Sequence, residues 1–211
     1  VQKETQMFYK YISNLSIYLT VLLGLVAITG DYVVSHTKIH IFQALFDNST
    51  HALIGGLSWF ITCLIDKNHH SYQILLEVAV CSFIASIIDL DHFVAAKSLQ
   101  LKDATNLKQR PPLHCSTFPL VTCILLLFVS YILQLSSVKR GTLIILTAFA
   151  SHHTRDATRR GYWFYPFGCT PSIPYGIYVV TTCFIPYFMG LLYEFIKINS
   201  SSNSYDRFAV I

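Results

Sequence analysis

Between Ile74 and Ala96 the chain reads ILLEVAVCSFIASIIDLDHFVAA. An α-helix rises about 1.5 Å per residue, so about 20 mostly apolar residues are needed to cross a hydrocarbon core of about 30 Å. This stretch is long enough to do so. It closes on Asp89, Asp91 and His92, where a spanning helix would leave the lipid. The reading predicts one continuous helix over 74–96, with Asp89 and His92 in its final two turns.

Working outward, Ile12–Thr29 and Phe118–Leu135 pass the same test, as does Ile173–Ile196, where Pro174 and Pro186 suggest a kink. Two apolar runs are short, Ala52–Ile65 and Thr142–Ala150. Six spans are expected, two of them short, in an all-α multi-pass membrane bundle. Composition agrees: 53% of residues are hydrophobic and 12% charged, with a mean hydropathy of +0.49. Soluble domains carry about 25% charged residues. No linker divides the chain, so residues 1–198 read as one helical membrane domain and 199–211 as a polar tail. The net charge of +4 is spread among loops and forms no basic stripe for nucleic acid. Lys3 and Lys10 precede the first span and no A-x-A pattern follows it, so it reads as a retained anchor.

Threading six spans puts Asp31–His51, Asp89–Thr117 and His152–Asp156 on one side of the bundle, called here the far side. His69–His70 falls on the near side, beside Lys67, as a polar turn. Lys and Arg divide almost evenly between the two sides, so the positive-inside rule gives no orientation. Three glycosylation sequons begin at Asn14, Asn48 and Asn199. A glycan on Asn48 would obstruct a far-side site, which favours a cytosolic far side if that site exists. The organelle is not readable. The six cysteines form no C-x-x-C, and most lie in apolar runs as small hydrophobes. Cys115 and Cys169 are the candidates for a disulfide, and a zinc–thiolate site is not expected.

Four far-side clusters carry the chemistry. They are Asp47-Asn-Ser-Thr-His51, Ile88-Asp-Leu-Asp-His92, the segment from Arg110 to Thr117 that presents His114, and Ser151-His-His-Thr-Arg-Asp156. Asp47/His51 and His152/Asp156 are i,i+4 pairs and Asp89/His92 is i,i+3, so each pair shares a helix face, whereas Asp91 points elsewhere. One helix can thereby give two ligands to one metal ion. Mixed imidazole and carboxylate ligands suit zinc first, then iron or manganese. The bland reading of each pair is a helix-stabilising contact of about 0.2–0.5 kcal/mol, and of Arg110 or Arg159–Arg160 an interfacial anchor. Taken together, the clusters give His51, Asp89, His92, His114, His152 and Asp156 as metal ligands, with Asp47 as a further candidate.

These strings resemble the animal transmembrane protein 267 family in order: Asp47-x-x-x-His-x-x-Ile-Gly55, Ile88-Asp-x-Asp-His-Phe93, Arg110-Pro-x-Leu-His-Cys-Ser-Thr117, Ser151-His-His-x-Arg-Asp156 and Pro166-Phe-Gly168. The resemblance covers residues 31–190 and implies little mechanism. A more distant one is to bacterial inner-membrane proteins of the YdjM type, described as metal-dependent hydrolases. Asp89, Asp91 and His92 match one of their motifs, and Ser151, His152 and Asp156 another. Arg110 stands where that pattern has a further His, so the resemblance implies a metal site with one ligand fewer.

The function expected is a metal-dependent hydrolase of a lipid or lipid-linked phosphate. Water on a divalent ion, zinc by preference, would be activated with Asp91 as general base, and Arg110 and Arg155 would hold phosphate oxygens. Membrane lipid is the expected partner, with nothing pointing to a protein partner. Two rival readings are a non-catalytic protein with a structural Asp/His ion or hydrogen-bond site, and a cation transporter. Transport would be supported by inverted repeats, and the two halves of the chain do not match.

Overall fold

The computed structural model describes residues 14–65 and 71–208, with side chains as far as 196. Lys3, Lys10, Lys67 and His69–His70 lie outside the described residues. The long helices are α1 (Asn14–His36), α2 (His40–Ile65), α3 (Ser71–Ile87), α6 (Thr117–Ile132), α7 (Ser136–Arg160) and α8 (Tyr175–Phe208). Between α3 and α6 come a 3-10 turn at Ile88–Leu90, the short helices α4 (Asp91–Ala96) and α5 (Leu101–Ala104), and a second 3-10 turn at Pro112–His114. The fold is all-α, with one addition: Trp163–Phe164 (β1) and Gly168–Cys169 (β2) form a small antiparallel hairpin between α7 and α8.

Among the described residues three helices are long and apolar enough to cross a membrane, Asn14–His36, Ser71–Ala96 and Tyr175–Ile196, and Thr117–Ile132 is apolar but shorter. Most of their residues lie on the outer surface of the protein, so they turn Leu22, Phe83, Phe128 and Phe188 outward, as a lipid-facing surface requires. This is an integral membrane protein.

The two short apolar runs are parts of longer helices. Expected at Ala52–Ile65, α2 begins at His40, and expected at Thr142–Ala150, α7 covers Ser136–Arg160. Both carry charged or imidazole groups that break an apolar run, and they can carry them because they are the inner helices. α2 packs on α1, α3, α7 and α8, and α7 packs on α2, α3, α6 and α8. Lys139, Arg140, His152, His153 and Arg155 of α7 are all buried, as is His51 of α2. The expectation of one continuous helix over 74–96 also needs correcting. The 3-10 turn at Ile88–Leu90 interrupts it, and at 3.0 residues per turn it rotates Asp91 away from its α-helical direction.

Two apolar clusters hold the inner pair in place. Trp59, Cys63, Cys81, Ala85, Leu143, Ile144 and Ala148 join α2, α3 and α7, and Leu23, Ala27, Ile54, Ile61 and Tyr178 join α1, α2 and α8. Lipid gives little hydrophobic push between helices, so close backbone approach through small residues carries their association. At Gly55 a Cβ would lie 2.7 Å from the Cβ of Ala85, so α3 sits against α2 only because that position is bare. Gly55→Ala is expected to cost about 1–3 kcal/mol by overpacking, read as a lower unfolding midpoint in detergent. An unchanged midpoint would show that the α2–α3 contact is not tight.

Candidate metal centre

On α7, the Nδ1 of His152 lies 2.8 Å from the carbonyl oxygen of Ala85. A carbonyl only accepts, so Nδ1 carries the hydrogen and the lone pair of Nε2 points the other way. Around that Nε2 are Asp156 Oδ2 at 3.3 Å, Asp89 Oδ1 at 3.5 Å and His114 Nε2 at 3.4 Å. His114 is turned similarly. Its Nδ1 lies 3.3 Å from Asp91 Oδ1, and its Nε2 faces Asp156 Oδ2 at 3.2 Å and Asp89 Oδ1 at 3.4 Å. His51 of α2 stacks on His152 with ring centroids 3.8 Å apart and brings Nε2 to 3.6 Å from Asp156 Oδ1.

All six expected ligands converge. Ligand atoms of His51, Asp89, His152 and Asp156 lie within 4.8 Å of one another, as do those of Asp89, His92 and His114, and Asp89 belongs to both groups. Donor atoms bound to one zinc at about 2.0–2.2 Å lie roughly 3–4 Å apart, and the separations above have that spacing. A carboxylate common to two groups is also how two ions about 3.5–4 Å apart are held.

Positive charge balances the carboxylates here, and the imidazole of His114 supplies part of it. Two imidazole Nε2 atoms face each other between the half-buried carboxylates of Asp89 and Asp156. Burial opposes a charged His114, but the Asp156, Asp89 and Asp91 carboxylates outweigh it and push its pKa up to about 11. His51 is only 1% exposed, yet neither of its ring nitrogens has a hydrogen-bond partner. An orphaned buried imidazole is costly unless something outside the protein's own atoms meets it.

The remaining candidates take other positions. Asp91 stands behind His114, not in the cavity: it accepts from the Leu113 N–H at 2.7 Å and contacts the Nδ1 of both His92 and His114 at 3.3 Å. An outer carboxylate in this position fixes the orientation and tautomer of an imidazole. Asp47 is bound at both oxygens by Arg159, at 2.7 and 3.2 Å, and contacts Arg155 at 2.7 Å. Arg155 is 1% exposed, paired with Asp31 at 2.8 Å and with Asp47, so its guanidinium is enclosed by its partners. Arg110 donates to the carbonyls of Arg160 and Gly161 and caps the end of α7. Asp89, His92, His114 and Asp156 line a cavity of about 150 Å³, rimmed by Arg110, Arg159 and Arg160. Cys115 and Cys169 are both free thiols.

Three contributors escaped the sequence. Asp31 had no visible partner, because Arg155 lies 124 residues away. His153 anchors the His114 loop, with Nδ1 3.1 Å from the Ser116 hydroxyl and Nε2 2.9 Å from the Leu113 carbonyl. At the other end of the bundle Glu77 forms a buried two-point pair with Arg140, both contacts at 2.6 Å, and accepts from Trp59 Nε1 at 3.1 Å. An acid inside an apolar span is itself a signal that it is paired or functional; only the partner was unreadable.

The chain is 42% identical over 174 residues to the protein named transmembrane protein 267 in Xenopus laevis, covering 81% of this chain and 79% of that one. It is 36% identical over 194 residues to the Danio rerio protein of that name, with 90% and 86% covered. The Mus musculus protein of that name is 38% identical over 151 residues, with 71% and 68% covered. No family model matches the chain, and no solved structure matches it. The bacterial resemblance rests on the motif residues alone.

Replacing Arg155 by Met leaves Asp31 and Asp47 facing an apolar side chain. Breaking a buried pair from one side costs about 3–5 kcal/mol, so Arg155→Met is expected to unfold at markedly lower denaturant in detergent. Wild-type stability in that variant would mean that the pairing is solvated.

Proposed function

This chain belongs to the transmembrane protein 267 family, and we propose that its Asp/His centre binds a divalent metal ion, zinc by preference, and hydrolyses a phosphate ester carried by a membrane lipid. The observation that carries the reading is the convergence of the imidazoles of His51, His114 and His152 on the carboxylates of Asp89 and Asp156, inside a multi-pass membrane bundle. The donors are nitrogen and oxygen, which suits zinc, iron or manganese. His152 and His114 each have the outward nitrogen tied to an acceptor, the arrangement that orients imidazole ligands.

When bound, the ion supplies Lewis acidity toward a phosphoryl oxygen and lowers the pKa of water. His51, His152, Asp156 and Asp89 would hold it, and His92 and His114 form with Asp89 a second group that could hold another ion. Hydrolysis joins the oxygen of water to phosphorus, breaks the bond from phosphorus to the lipid oxygen and returns a proton to the leaving alcohol. Asp91 acts through His114 as its orienting partner. Arg160, which lines the cavity, is the cation placed to meet phosphate oxygens, while Arg159 is held by Asp47. Arg110 and Arg155 hold the backbone and the helices in place.

Metal content of the purified full-length protein is the first test, followed by phosphate release from vesicles of defined lipids. Bound metal is expected at about one or two ions per chain, and His152→Ala is expected to lose it. A His152→Ala protein with full metal content would refute the ligand assignment. Bound metal without phosphate release would leave a structural ion site, and metal-stimulated uptake into vesicles would favour transport.

A further inference from the structure

α6 and α8 both pack on α7 but barely touch each other, so a groove opens between them on the outer face of the bundle. It encloses about 400 Å³, within the range of about 300–1,000 Å³ usual for small-molecule sites. Leu120 of α6, Leu146 and Phe149 of α7 and Phe184, Phe188 and Met189 of α8 make its walls. At its far end Ser116, His153 and Tyr162 line it, and the same three residues line the polar cavity of the Asp/His centre. The apolar groove and the polar cavity thus share a wall made of these three side chains. That wall is hydrogen-bonded: Ser116 Oγ lies 3.1 Å from His153 Nδ1, and the Tyr162 hydroxyl donates to Thr154 at 3.0 Å.

We infer that the groove between α6 and α8 holds a hydrocarbon chain of an anionic lipid whose phosphate reaches over Ser116 and Tyr162 into the Asp/His cavity. Three observations point to this occupant. The groove has walls of aliphatic and aromatic side chains on a face turned to lipid, so the bilayer itself supplies the chain. It ends at the cavity that contains the metal-type cluster, so one amphiphile fills both spaces. The cavity lining includes the exposed Arg160, the cation placed to meet an anionic head, since Arg159 is tied to both oxygens of Asp47. The inference rests on the proposed function in taking phosphate as the head, but occupancy of the groove requires neither metal nor turnover.

The test uses the full chain in phosphatidylcholine vesicles that contain a trace of phosphatidic acid with a photoreactive diazirine on its acyl chain. After irradiation the labelled peptides are mapped by mass spectrometry. Labels are expected on Leu120, Phe149, Phe184 and Phe188, and unlabelled phosphatidic acid should compete them away while diacylglycerol does not. Ala150→Trp fills the groove and should lower the competed label by about tenfold. Arg160→Gln, at the rim, should weaken competition by phosphatidic acid and leave the fold unchanged. If Ala150→Trp does not fold, competition on the wild-type protein still decides. Labels spread evenly over the outer faces of α1 and α6, or competed equally by diacylglycerol, would show annular lipid only and overturn the inference. Specific labelling without phosphate release would uphold the groove and count against hydrolysis. Phosphate release without groove labelling would uphold hydrolysis and remove the groove.

Discussion

A carboxylate or guanidinium inside a hydrocarbon slab finds its partners in the same protein or goes without, and going without costs several kcal/mol. That constraint fixes α7. Arg140 near its start is held by Glu77 of α3, and Arg155 near its end is held by Asp31 of α1 and Asp47 of α2. The two arginines stand about 22 Å apart along the helix, at about 1.5 Å per residue. Sliding α7 by one turn would break both pairings at once, and Leu143, Ile144 and Ala148 between them would lose their apolar neighbours. The ion pairs set the axial position of α7, and the core sets its distance from α2 and α3.

With that register fixed, the centre follows. His152, Arg155, Asp156 and Arg159 occupy two successive turns of α7. The arginines turn toward α1 and α2, while His152 and Asp156 turn toward the 3-10 turn after α3. Gly55 lets α3 come close enough for the Ala85 carbonyl to take the Nδ1 hydrogen of His152. His153, the neighbouring residue, ties down the loop that carries His114. One helix thus contributes two members of the centre, positions a third and is locked by its own ion pairs.

The outer helices were legible because lipid demands a long apolar surface, and α1 shows it from Leu15 to Thr29. The inner helices were shortened for the opposite reason: His40, Asp47, Asn48 and His51 break the hydropathy of α2, and Asp47 and His51 meet α7. The convergence of Asp89, His92, His114, His152 and Asp156 was legible from side and spacing, since i,i+3 and i,i+4 pairs face one way. That Asp91 leaves the Asp89–His92 face was legible too; its place behind His114, where it binds the Leu113 N–H and the His114 ring rather than lining the cavity, was not. Glu77–Arg140 and Asp31–Arg155 are contacts between residues 63 and 124 positions apart, and a single sequence carries no sign of such pairs.

The central claim is that a divalent ion sits among imidazoles and carboxylates at this crossing, with no thiolate in its shell. X-ray absorption at the metal edge of the purified full-length protein tests this directly. The expected result is a first shell of nitrogen and oxygen at about 2.0–2.2 Å, with the outer-ring scattering of imidazole. A sulfur shell at about 2.3 Å would assign the metal to the cysteines instead, and protein that takes up no divalent metal would leave the cluster a hydrogen-bond network.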